Sequence, residues 1–156
     1  MRWTLLVTVL ILLALAASAF AGNVGLGVMV GEPTGLSLKV WSGNRTAFDV
    51  AAGWSLGSSD WVYVHADYLW HRYELNVEEG SLPFYFGIGA RVLLHEDNNP
   101  KHEKHDSKVG VRVPLGLNYL FANHRFDIFI EVAPIIDLAP DTGFDVSGGL
   151  GARYYF

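Results

Sequence analysis

The chain contains no cysteine, which excludes a disulfide scaffold, a thiolate-ligated zinc site and a thiol nucleophile. Charge is scarce as well: 17% of its 156 residues are charged, against a hydrophobic share of 51%. A soluble domain carries charge on roughly a quarter of its residues. Positive charge is the scarcer sign, with 11 Lys and Arg against 16 Asp and Glu, a net charge of −5. No basic stripe gathers anywhere, so nucleic acid is excluded as a partner. Beyond the N-terminal segment no stretch has a helical period. No repeat of solenoid length recurs, and no low-complexity tract or linker divides the chain, whose length leaves room for one domain.

What is present begins with an export signal. Arg2 supplies a positive start, Leu5 to Ala17 is an apolar run broken only by Thr8, and Ala19-Phe20-Ala21 is a small-x-small cleavage site. This is the layout of a secretory signal peptide. Residues 1–21 are therefore expected to be the leader, and residues 22–156 the domain.

From Val24 onward the hydrophobic period is 2, the period of a half-buried strand. The apolar members fall into eight sets: Val24 to Val30, Leu36 to Val40, Phe48 to Trp54, Val62 to Trp70, Phe84 to Leu94, Val109 to Phe121, Phe126 to Ile136 and Phe144 to Phe156. Turn residues separate them, as in Gly31-Glu32-Pro33-Thr34, Ser42-Gly43-Asn44, Gly57-Ser58-Ser59-Asp60, Ala122-Asn123-His124 and Pro140-Asp141-Thr142-Gly143. One connection, His95 to Lys108, is long and charged. The stretch Arg72 to Ser81 breaks the pattern with Glu74, Glu78 and Glu79; either the fourth strand runs on there or an irregular segment sits beyond it.

Eight antiparallel strands in succession predict an all-β, up-and-down barrel. The alternating sets decide which way it faces. The apolar set holds no Asp, Glu, Lys, Arg or His and is rich in Phe, Tyr, Trp, Val and Leu. A barrel interior of eight strands is only just wide enough for side chains, and this set would overfill it. The opposite set mixes charges with Gly25, Gly27, Gly53, Gly87, Gly89, Gly110, Gly116, Gly149 and Gly151. Glycine weakens a strand, but it leaves space for long side chains reaching across a lumen. Apolar outside and mixed inside is the arrangement of an eight-stranded transmembrane β-barrel. Tyr68, Trp70, Phe84, Tyr119, Phe121, Phe126, Tyr154 and Phe156 should form an aromatic girdle at the end holding the termini, with Trp54 and Phe144 at the other rim.

The leader, the alternating strands and the ending Ala152-Arg153-Tyr154-Tyr155-Phe156 together resemble small bacterial outer-membrane β-barrel proteins of the OmpA/OmpX type. The segments Pro83 to Ala90, Val111 to Gly116, Phe129 to Pro134 and Gly151 to Phe156 are also similar to uncharacterised outer-membrane barrel families. The resemblance implies location in the outer membrane of a Gram-negative bacterium, contact with outer-membrane lipid and lipopolysaccharide, and recognition of the strand ending at Phe156 by the outer-membrane assembly machinery. It implies a fold and no mechanism.

The inward set contains the bases Lys39, Arg91, Arg112 and Arg153 and the acids Asp49, Asp67, Asp127, Glu131 and Asp145. Unpaired buried charge is costly, so these groups should pair. Hairpin arithmetic sets Trp41 against Ala47, hence Lys39 opposite Asp49, and brings Arg153 near Asp127. Two constellations resemble sites. His95, His102 and His105 share a loop with Glu96, Asp97, Glu103 and Asp106, but without the HExxH spacing. His65, Asp67 and His71 project from one face of one strand, with Ser37 and Ser147 also inward. Both read better as polar loop and lumen lining than as a metal or catalytic site. No catalytic residue, metal ligand or cofactor is assigned. The expected function is a structural or surface-interaction role with a filled lumen, and no enzyme activity. The alternatives are a lipid A- or phospholipid-modifying enzyme, or a narrow pore for water or small ions.

Overall fold

The computed structural model describes residues 22–54, 60–73, 75, 77–96 and 107–156. The leader assigned to residues 1–21 and the turn residues 57–59 lie outside them, as does most of the long connection. The described residues form nine β-strands in one sheet: β1 Val24–Gly31, β2 Gly35–Trp41, β3 Thr46–Trp54, β4 Asp60–Arg72, β5 Phe84–Glu96, β6 Lys108–Arg112, β7 Leu115–Leu120, β8 Phe126–Ala139 and β9 Gly143–Tyr155. Neighbours in sequence pair antiparallel, apart from β6 and β7, and β1 also pairs with β9, so the sheet closes on itself. Closure leaves no strand edge to be satisfied by solvent.

Nine elements make eight staves, because β6 and β7 lie end to end between β5 and β8. The single sixth strand expected from Val109 to Phe121 is divided at Val113-Pro114. Proline has no amide hydrogen to give the ladder. The register survives the break: Gly89 faces Arg112 and Phe86 faces Leu115 on one side, while Arg112 faces Ile135 and Leu115 faces Val132 on the other. Two bonds span the gap, Gly87 N to Pro114 O at 2.9 Å and Val113 N to Pro134 O at 3.0 Å.

The two irregular places are accounted for locally. β4 runs to Arg72, and Ser81 exchanges backbone hydrogen bonds of 2.9 and 2.8 Å with Leu120. Gly80 adopts a φ of 104° where its Cα passes close to the Leu120 carbonyl, a conformation that glycine tolerates without penalty. The turn after β1 is closed by Thr34, whose hydroxyl accepts from Gly31 N at 3.0 Å and donates to Gly31 O at 2.9 Å.

Burial is inverted relative to a soluble barrel. Lys39, Arg112 and Asn118 are fully buried, whereas Ile130 is 58% and Phe144 74% exposed. On every stave the residues expected to face outward are the more exposed and their neighbours the more buried, except that Val24, at the start of β1 beside the termini, is 4% exposed. The apolar interior contracts to small clusters such as Met29, Ala51 and Phe129. A stave the length of β8, with 14 residues, spans about 35 Å when tilted as barrel strands are, enough for a hydrocarbon core.

The girdle forms at the expected end and also takes in Phe48 and Phe86, which were not among its expected members. Phe48, Tyr68, Trp70 and Phe86 follow one another at centroid spacings of 4.9, 4.9 and 5.8 Å, with Phe84 beside Phe86. Tyr119 meets Phe121 at 4.9 Å, and Tyr154 lies between Phe126 and Phe156 at 5.0 and 5.3 Å. These edge-on and stacked pairs sit at the end that holds both termini, where Gly22 N bonds to the Phe156 carbonyl.

Candidate functional site

The one chemically rich region among the described residues is the lumen. It is built by period 2: every second residue of each stave points inward, and glycines there make room for larger side chains. A Cβ on Gly116 would sit 2.3 Å from the Tyr85 ring, and one on Gly25 would sit 2.6 Å from the Tyr155 ring. Gly116→Ala is accordingly expected to displace Tyr85 and lower the midpoint of urea unfolding in detergent micelles. An unchanged midpoint would mean that the glycine is not there for space.

Three groups of charges lie in the lumen. At the mouth opposite the termini, Arg91 holds Asp137 through contacts of 3.1, 2.9 and 2.7 Å and reaches Asp145 at 2.8 Å. Such forked contacts are the stronger kind of ion pair. Deeper, Arg112 bonds Glu131 at 2.5 Å, Tyr85 donates to the other Glu131 oxygen at 2.8 Å, and Asp67 lies 3.5 Å from Arg112. Nearer the termini, Arg153 donates to Ser37 and Asp49 at 2.8 and 2.7 Å and approaches Asp127 at 3.6 Å. Its guanidinium lies 3.8 Å over the Phe129 ring, and Tyr155 donates to Asp127 at 2.6 Å.

Both registers expected from hairpin arithmetic are present: Trp41 faces Ala47, Lys39 faces Asp49, and Asp127 faces Arg153. The ion pair inferred from the first of them is redirected. Asp49 takes Arg153 from across the lumen, while Lys39 meets His71 Nε2 at 2.8 Å beside the Trp41 and Tyr85 rings. A long guanidinium that reaches three groups at once outcompetes an ammonium on the adjacent strand. Asp137 was not among the expected lumen acids, although extending the alternation by one residue past Ile136 finds it.

His65, Asp67 and His71 do share the inner face of β4, all buried. Among the described residues they do not form a nucleophilic relay with a serine. Ser37 Oγ is engaged by Arg153, Ser147 Oγ has no partner, and neither ring nitrogen of His65 makes a hydrogen bond. The loop histidines His102 and His105 lie outside the described residues.

Residues 17–153 match the model of a family described as "Protein of unknown function (DUF3996)". No curated protein matches the chain. Among solved structures, the chain is similar to the N-terminal β-barrel domain of OprF from Pseudomonas aeruginosa, with a TM-score of 0.65 at 14% identity over 86% of this chain and 96% of that one. Ail, the attachment invasion locus protein of Yersinia pestis, is also similar, at 18% identity, 86% and 94% coverage and a TM-score of 0.46. The first of these likenesses supports the barrel fold.

Proposed function

We propose that this chain, which belongs to the DUF3996 family, is an integral protein of a bacterial outer membrane and serves there as a closed scaffold presenting its outer turns. The observation that carries this reading is the inversion of the barrel, with exposed Ile130, Leu150 and Phe144 outside and buried Arg112 and Lys39 inside. An apolar exterior of this extent has no stable contact with water, and a lipid environment removes that cost. The leader routes the chain across the inner membrane. The aromatic girdle sets its depth among outer-membrane lipid and lipopolysaccharide, and Phe156, exposed at the end of the last strand, offers the assembly machinery its recognition point. Deleting Phe156 is expected to lower the amount of folded barrel in the outer membrane several-fold.

Membrane fractionation combined with gel mobility tests the proposal. The protein should fractionate with outer membranes and migrate differently before and after boiling, because heat opens a folded barrel. A polypeptide that stays monodisperse in buffer without detergent overturns it. The three ion-pair groups stand at successive depths in the lumen, which supports a filled lumen, and planar bilayers containing the purified barrel should show no discrete conductance steps. Stepwise conductance, or modification of lipid A by cells expressing the gene, replaces the scaffold with a pore or an enzyme.

A further inference from the structure

The geometry points to a buried site for a divalent first-row cation of the zinc or manganese type, held by Asp49, His65 and Asp67. One ligand atom from each lies within 4.8 Å of the other two, and His65 Nε2 is 3.7 Å from Asp67 Oδ2. Ligand atoms about 2.0–2.2 Å from a tetrahedral zinc stand about 3.4 Å apart, so His65 and Asp67 are close to ligating separation and the widest pair must close by up to about 1.4 Å. The site belongs to the lumen and does not depend on which membrane surrounds the barrel.

Three observations converge on it. First, Asp49 and Asp67 are direct cross-strand partners on the inner face, and like charges placed opposite one another destabilise a sheet. Second, the polar atoms of His65 and Asp67 are unclaimed, while Asp49 gives one oxygen to Arg153 at 2.7 Å. His65 and Asp67 are 1% and 3% exposed, yet neither ring nitrogen and neither carboxylate oxygen has a hydrogen-bond partner among the described residues. Buried groups of this kind are costly unless bonded or coordinated. Arg112 Nη1, at 3.5 Å from Asp67, offsets charge without occupying those lone pairs. Third, the buried charges do not balance. Asp49, Asp67, Asp127, Glu131 and Asp137 outnumber Lys39, Arg91, Arg112 and Arg153, and half-exposed Asp145 adds to the excess. The backbone makes room for the arrangement: Gly89 faces Asp67 on β5, and a Cβ there would fall 1.9 Å from Asp67 Oδ1. Two carboxylates and an imidazole are a donor set that zinc and manganese accept.

The test uses the protein extracted from membranes in detergent, with His102→Ala and His105→Ala removing the loop histidines as rival ligands. It is unfolded in urea with EDTA, refolded with excess ZnCl2 or MnCl2, desalted and analysed for metal. The refolded parent should retain about one ion per barrel, and its heat-induced mobility shift should occur at a higher temperature than after refolding in EDTA. Asp67→Asn and His65→Gln, checked for folding by the same mobility shift, should each retain at least about tenfold less metal. A parent that retains neither metal overturns the site whatever the variants do, as does equal retention by folded Asp67→Asn and His65→Gln.

Discussion

Arg153→Met should destabilise the folded barrel by about 3–5 kcal/mol, the cost typical of breaking a buried ion pair from one side. Arg153 is 2% exposed and sits between Asp49, Asp127 and Ser37. Methionine is apolar and shorter, so it withdraws from Asp49 and Asp127 the guanidinium that approaches both, together with its contact over the Phe129 ring. The loss should appear as a lower urea midpoint for unfolding from micelles. Adding Asp49→Asn to Arg153→Met should restore part of it, because the uncompensated charge goes with the carboxylate. If Arg153→Met unfolds at the parent midpoint, the lumen charges do not hold the barrel together at this level. Tyr155→Phe is a smaller change: it removes one hydrogen bond to Asp127 and should cost about 1–3 kcal/mol.

The second large effect concerns the opposite face. Ile130→Arg in lipid vesicles should cost about 2–4 kcal/mol, whereas Phe144→Arg should cost about 0–1 kcal/mol. Ile130 lies within β8 between Leu117 and Leu150, in the outward apolar band. Phe144 is the second residue of β9, at the rim. A charge at the first position must enter hydrocarbon or deform the bilayer, and a charge at the second reaches the headgroups. Equal costs at the two positions, or a gain at Ile130, would contradict a membrane around this surface. Folding equilibria of the two variants in vesicles, measured by tryptophan fluorescence, decide the matter.

Most of the architecture was legible because the signal that carries it is periodic. A strand alternates faces, so one phase assignment orients every side chain along it, and the phases of all eight staves agree with the structure. The girdle followed from the same alternation combined with chain direction. The registers at Trp41 and Ala47 and at Asp127 and Arg153 followed from short turns, which leave a hairpin little freedom to slip. Asp137 was legible and overlooked, one residue beyond the last apolar member of its set. The break at Pro114 was also present in the sequence, since proline cannot serve the ladder on its amide side. What could not be read was that the neighbouring staves would bridge it without losing register.

The sequence by itself determined the closed sheet and its apolar exterior, because these depend on what each residue is and on its place in a period of 2. The tertiary structure alone decided which charge meets which. Arg153 reaches Asp49 across the lumen, Lys39 turns to His71, and Asp67 is left beside His65 with its oxygens unclaimed. Contacts across the lumen depend on the tilt and stagger with which the cylinder closes, and no local pattern encodes the distance between staves that are not neighbours.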